Sequence, residues 1–170
     1  MIRNFRTSGM TLMEILIACS ILSAVIMGAL SFMVTSQSVM KTTSFKATLK
    51  NSSQAIVERM ATELRKASKA QLQVTTNTIQ FKTIRDFNTD GTVALSNELV
   101  TYQLLTSPNR LVRMEGSQTA LLATGVTGSF SKLLSGGVNL VTINLTFSKA
   151  IDQINHQAVV NTDVFVPNQE

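Results

Sequence analysis

Ser8-Gly9-Met10-Thr11-Leu12-Met13-Glu14-Ile15-Leu16-Ile17-Ala18 is the stretch on which the reading of this chain turns. A short polar leader ends at Gly9. An apolar run starts at Met10 and continues to Val34, interrupted only by Thr11, Glu14, Ser20, Ser23, Gly28 and Ser31. About 20 apolar residues suffice to span a bilayer as a helix. A carboxylate is out of place in such a helix: at the centre it costs roughly 2.5–3.5 kcal/mol or more, so an acid there marks a function. Cutting the chain after Gly9 makes Met10 the N-terminus and puts a free amine near Glu14. A secretory signal has a shorter apolar core, about 7–15 residues, followed by a small-residue cleavage site. A plain signal anchor accounts for the helix but not for Gly9 and Glu14 together.

At these residues the chain resembles the type IV pilin superfamily. The precursors of that superfamily have a short basic leader, a Gly, the cleavage point, usually Phe, then Thr-Leu and a Glu four residues beyond the first mature residue. Gly9, Thr11, Leu12 and Glu14 match; Met10 stands where Phe is usual. The resemblance implies cleavage between Gly9 and Met10 by a prepilin peptidase/methyltransferase, which also N-methylates Met10. It implies a register role for Glu14, whose carboxylate pairs with the Met10 amine of a neighbouring subunit. Two desolvated charges select a matched pair strongly over a mismatch. The other reading of Glu14 is pairing with the amine of its own subunit or a reach to the membrane surface. The implied partners are other pilin or pseudopilin subunits, an inner-membrane assembly platform, and membrane lipid before assembly.

Charge gives the orientation. The chain carries +5 from 15 basic and 10 acidic residues; Arg3 and Arg6 lie in the leader, leaving +3. Positive charge ahead of an apolar helix holds the N-terminus in the cytoplasm. The expected location is therefore the inner (cytoplasmic) membrane, single-pass, with the C-terminal domain exported and later carried in an extracytoplasmic filament. A remainder of +3 is ordinary solubility, and no clustered basic stripe marks a nucleic-acid partner. The one cysteine, Cys19, lies in the apolar run. It excludes an intramolecular disulfide and reads as a small packing residue.

The helix is expected to continue past the membrane. No Pro or Gly occurs from Ala29 to Ala70. Phe45, Leu49, Ile56, Met60, Leu64 and Ala67 recur on one helical face. Ser52 and Ser53 fall in the longest gap. Lys46, Lys50, Glu58, Arg59, Glu63 and Lys66 read as the solvated face. One helix from Met10 to Ala67 is predicted, near 87 Å at ~1.5 Å per residue. From Gln71 the period changes to 2. Predicted strands are Gln71–Thr75, Thr78–Arg85, Glu98–Thr106, Arg110–Glu115, Leu121–Ser131, Val138–Ser148 and Gln157–Val166. The clearest alternation puts Val141, Ile143, Leu145 and Phe147 on one face. Thr75-Thr76-Asn77, Ser107-Pro108-Asn109 and Ser135-Gly136-Gly137 are turn signals, and Ile151–His156 reads as a longer polar hairpin tip.

The fold class that follows is α+β: a long N-terminal helix, its first half membrane-embedded, packed on one antiparallel sheet with one face covered. The divisions are 1–9 leader, 10–34 membrane and assembly half, 35–70 amphipathic half, and 71–170 sheet domain. The resemblance makes this architecture pilin-like. It also places a proline near Ser31 in many relatives, so no proline kink is expected here. The order of motifs after the helix, an Ile-x-Phe strand, Val-Thr-Tyr-x-Leu, then Asn-Arg-Leu-Val-Arg, looks like the J-type minor pseudopilin of type II secretion and the W-type minor pilin.

Two further groups carry possible chemistry. Asp86-Phe87-Asn88-Thr89-Asp90-Gly91 sets Asp86, Asn88 and Asp90 as oxygen ligands at alternate positions with Gly at the sixth, the front half of a calcium loop. The acid needed at the twelfth position is absent, since Asn97 stands there, and the same residues form solvated turns. Calcium is the only cofactor these residues suggest. His156, the only histidine, reads as an exposed loop residue, because zinc or a hydrolase triad needs further placed partners. No catalysis is expected. The implied function is a structural subunit, a minor pilin or pseudopilin of a type IV pilus or type II secretion pseudopilus. The alternative is a single-pass anchored β domain that binds a ligand or receptor and never polymerises.

Overall fold

The computed structural model describes residues 11–87, 93–135, 138–151 and 153–166. One helix, α1, runs Leu12–Arg65 over 54 residues. The chain separates into two units between Ser44 and Phe45.

In the first unit α1 is exposed throughout its apolar stretch, with Leu12, Leu16, Ile21, Leu30 and Phe32 among the bare side chains. That stretch is unburied and is long and apolar enough to cross a membrane. The serines that interrupt the run do not leave free hydroxyls. Ser20 donates to the Ile17 carbonyl at 2.8 Å, Ser23 to Cys19 at 2.7 Å and Ser31 to Met27 at 2.9 Å. Such back-bonding lets small polar residues sit in an apolar medium. The helix continues through Ser31 unbroken.

In the second unit α1 turns one stripe to the core. Val57, Met60, Ala61 and Leu64 are buried there, with Leu49 and Ile56 partly buried beside them. Ser53 is fully buried on the same stripe, its hydroxyl donating to the Lys50 carbonyl at 2.8 Å. The apparent seven-residue gap is therefore filled by a small side chain whose polarity is satisfied locally. The helix stops at Arg65, short of Ala67, because the next residues join a strand: Ile84 donates to the Lys66 carbonyl, Ser68 to the Lys82 carbonyl, and Ala67 bridges Thr83.

Among the described residues a 3-10 turn, Lys69–Gln71, precedes ten strands. They are β1 Gln73–Val74, β2 Thr78–Phe81, β3 Ile84–Phe87, β4 Val93–Leu95, β5 Val100–Thr106, β6 Asn109–Glu115, β7 Gln118–Thr124, β8 Val126–Ser135, β9 Val138–Ile151 and β10 Ile154–Val166. The expected antiparallel sheet domain is present, and among the described residues its strands form three sheets: β1-β2-β5-β6-β7, β10-β9-β8, and the pair β3-β4. The predicted strand Leu121–Ser131 is two strands belonging to different sheets. Gly125 is the corner, with φ +68°. It donates to the Asn109 carbonyl and accepts from Ser148, both at 2.8 Å, so one residue ties β7's sheet to β9's. Predicted Thr78–Arg85 is likewise cut into β2 and β3, and β4 arises where a loop was expected.

The alternation read in β9 holds: Val141, Ile143, Leu145 and Phe147 are buried. They meet Val126 and Phe130 of β8, Val164 of β10, and Ile79, Phe81, Tyr102 and Leu111 of the five-stranded sheet in one core with α1. Each such side chain contributes roughly 1.5–3 kcal/mol by leaving water. The Thr75 turn forms as expected, closed by Thr75 donating to the Thr78 carbonyl. The Ser107–Pro108 hairpin joins β5 to β6, and its peptide bond is cis. Gly136 and Gly137 lie outside the described residues.

Candidate functional site

Thr11 and Glu14 close on each other at the head of α1. The Thr11 amide donates to Glu14 Oε2 at 3.0 Å, and the Glu14 amide donates to Thr11 Oγ1 at 3.3 Å. The Thr11 hydroxyl also donates to the same carboxylate oxygen, at 3.3 Å. This is a reciprocal capping box: two amides that a helix start leaves without partners are satisfied by the first turn's own side chains. A carboxylate is also favoured there by the positive end of the helix dipole. The Thr-x-x-Glu spacing is the sequence signal of such a box. This contact to Thr11 is neither of the pairings expected of Glu14, both of which involve the Met10 amine. Gly9 and Met10 lie outside the described residues. The cap is made by Thr11 and Glu14 alone, and the Thr11 amide is a peptide N–H whether or not the Gly9–Met10 bond is cut.

The second polar centre joins α1 to the five-stranded sheet. Glu63 accepts from the Tyr102 hydroxyl at 2.8 Å, from Arg113 Nε at 3.0 Å and from Arg59 Nε at 3.2 Å. Arg113 also holds Glu115 at 2.7 Å. Burial works against charge on Glu63, but the Tyr102, Arg113 and Arg59 hydrogen bonds outweigh it and hold the carboxyl below its ordinary range. The Tyr102 phenol is pushed up, first by burial and then by its bond to the Glu63 carboxylate. For Arg113 burial acts downward, yet Glu115 and Glu63 hold the guanidinium above its ordinary value. Glu63 is thus not part of a solvated face, as its helical position suggested. It lies 39 residues from Tyr102 and 50 from Arg113, and no local pattern announces contacts at that distance.

His156 is also displaced from its expected setting. The β9–β10 connection is a two-residue hairpin closed by Ile151 and Ile154, with Gln153 at φ +65°, so His156 falls within β10. It is buried, 7% exposed, because its ring meets the edge of Phe45 at 5.5 Å between centroids. Lys149, its cross-strand partner, holds Nζ 5.7 Å from the same Phe45 ring. The histidine is a packing residue beneath the helix. Asp86 sits in β3 opposite Ala94. Asn88 and Asp90, the other two candidate calcium ligands, lie outside the described residues. Among the described residues no three His, Cys, Asp or Glu side chains gather at metal-binding range. Cys19 is a free, exposed thiol on the apolar part of α1.

No family model matches this chain, and no curated protein or solved structure does either.

Proposed function

We propose that this chain is a structural subunit of a filament of the type IV pilin kind, a minor pilin or pseudopilin, cleaved after Gly9 and assembled through α1. The observation that carries the reading is the head of α1. A carboxylate sits in the first turn of a helix that is apolar and unburied over a membrane-spanning length. A helix apolar all round needs lipid or other helices against it. The likeness of the Gly9-to-Glu14 segment to prepilins points to both in turn: lipid first, then a bundle of like helices. Glu14 keeps its cap in lipid. In the bundle its second carboxylate oxygen is available to the methylated Met10 amine of a neighbour, which sets the axial offset between subunits. The exported residues then face outward or toward other subunits. The subunit performs no catalysis; its partners are the prepilin peptidase, an assembly platform and its fellow subunits.

Intact-mass measurement of the native protein tests processing. The chain is expected to begin at Met10 with one added methyl group, and Gly9→Val is expected to leave it uncut. Full-length protein beginning at Met1 in the native assembly would overturn the reading. Glu14→Ala tests register: cleavage and the sheet fold stay intact, while the share of mutant in sheared filaments relative to membranes falls. Incorporation equal to the wild type would remove the register role.

A further inference from the structure

β10 is the outer strand of its sheet, and among the described residues no strand pairs with its far side. It is long, 13 residues, and its pairing with β9 runs from Ile154 to Val166 without a bulge. Exposed edges of this length ordinarily carry Lys, Pro or a bulge that discourages pairing with another chain. β10 has no Lys, Arg or Pro, and its one charged residue, Asp163, is already held by the Thr142 hydroxyl at 2.6 Å. The Ser148 amide donates to Gly125 on the other side of β9, so Ser148 and its β10 partner Gln157 are a non-hydrogen-bonded pair. Alternation from that pair then directs the amides of Asn155, Gln157, Val159, Asn161, Asp163 and Phe165 away from β9. The close Thr142–Asp163 contact fits a non-hydrogen-bonded pair in that scheme.

Beside this edge runs a groove of about 460 Å³ between α1 and β10. Val57 and Ala61 of α1 form its apolar floor, and Glu58 and Arg65 stand over it. Neither of these two side chains enters an ion pair among the described residues. We infer that the β10 edge and this groove receive an extended segment of another polypeptide chain as an added strand. Backbone hydrogen bonds supply the attraction, as in other strand-addition complexes. The charges specify the occupant. Glu58 and Arg65 lie two helical turns apart, about 10.5 Å along the axis, or about three residues of extended chain. The segment therefore carries a cation and an anion two to four residues apart. A second copy's β10 does not fit, because it has no Lys or Arg to set against Glu58. The edge is competent whether or not the chain polymerises.

The test uses the full chain in detergent micelles. The probe is a labelled, end-blocked ten-residue peptide alternating Val and Thr, with one Lys and one Glu four positions apart. Saturable binding is expected by fluorescence anisotropy. Asn161→Pro is expected to weaken it about tenfold or more, while the β9 ladder survives because that amide points outward. Glu58→Lys is expected to weaken it about two- to fivefold, with recovery when the peptide Lys is changed to Glu. Absence of saturable binding overturns the inference, as does equal binding by an Asn161→Pro protein of unchanged melting temperature. If Asn161→Pro melts early, the charge swap decides: a Glu58→Lys protein indifferent to the two peptides overturns it. A concentration-dependent dimer dissolved by Asn161→Pro would assign the edge to a second copy instead.

Discussion

Glu63 carries more of the structure than any other charged residue described. Three donors from three elements, α1, β5 and β6, converge on one carboxylate, and it is only partly exposed, with 21% of its side chain accessible. Removing its charge leaves Tyr102 and Arg113 under-satisfied at the edge of the core. Glu63→Gln is expected to destabilise the domain by about 1–3 kcal/mol near neutral pH in urea unfolding. The pH dependence follows from the lowered folded pKa. Stability from this group is fully present above the unfolded value and is lost as pH falls through the folded value. The wild type should therefore lose stability between about pH 5 and pH 3 more steeply than Glu63→Gln does. Parallel curves for the two proteins would show that the carboxylate is not held by its partners. Position on a helical wheel placed Glu63 among solvated residues, because the wheel knows α1 but not what the sheet brings to it.

At the scale of elements, the stripe on α1 and the corner at Gly125 are the two places where packing overrode pattern. Ser53 is polar by composition and core by position. Ser53→Leu is expected to cost about 1–3 kcal/mol by overpacking, whereas Ser53→Ala should be nearly neutral, both read from melting curves. A Leu accepted without loss would mean the stripe has room that the burial of Ser53 denies. Gly125 has a positive φ, and a Cβ there would run into the Ser148 carbonyl oxygen, which is backbone and cannot rotate aside. Gly125→Ala should therefore cost about 2 kcal/mol or more. A near-neutral Gly125→Ala would contradict the corner. The sequence run Leu121–Ser131 reads as one strand because its apolar residues hardly pause. What divides it is a hydrogen-bond exchange with Asn109 and Ser148, each from another part of the chain.

Over the whole molecule, the division within α1 has a direct consequence. The helical residues of the common core all lie at Leu49 or beyond, and the apolar stretch before Ser44 contributes none of them. A fragment from Phe45 to Glu170 should be soluble without detergent and give helix plus strand by circular dichroism with a cooperative thermal transition. The full chain should require detergent or lipid. A fragment that stays disordered, or folds only with lipid present, would show that the apolar half is needed to complete the domain.

Local chemistry was enough for several features of this chain. The length and apolarity of the first helix, its continuation without Pro or Gly, the capping residues Thr11 and Glu14, the inward face of β9 and the turns at Thr75 and Pro108 all follow from neighbours within a few residues. Periodicity, capping and turn preference act over that range. Tertiary structure decided what depends on residues far apart in the chain. It divided the strands into three sheets, buried Ser53 and His156, and gathered Tyr102 and Arg113 around Glu63. It also left the far edge of β10 without a strand partner among the described residues, beside a groove. Each of these is a pairing or packing choice among distant segments, fixed by which apolar faces can cover one another while buried polar groups such as the Ser53 and Tyr102 hydroxyls find partners.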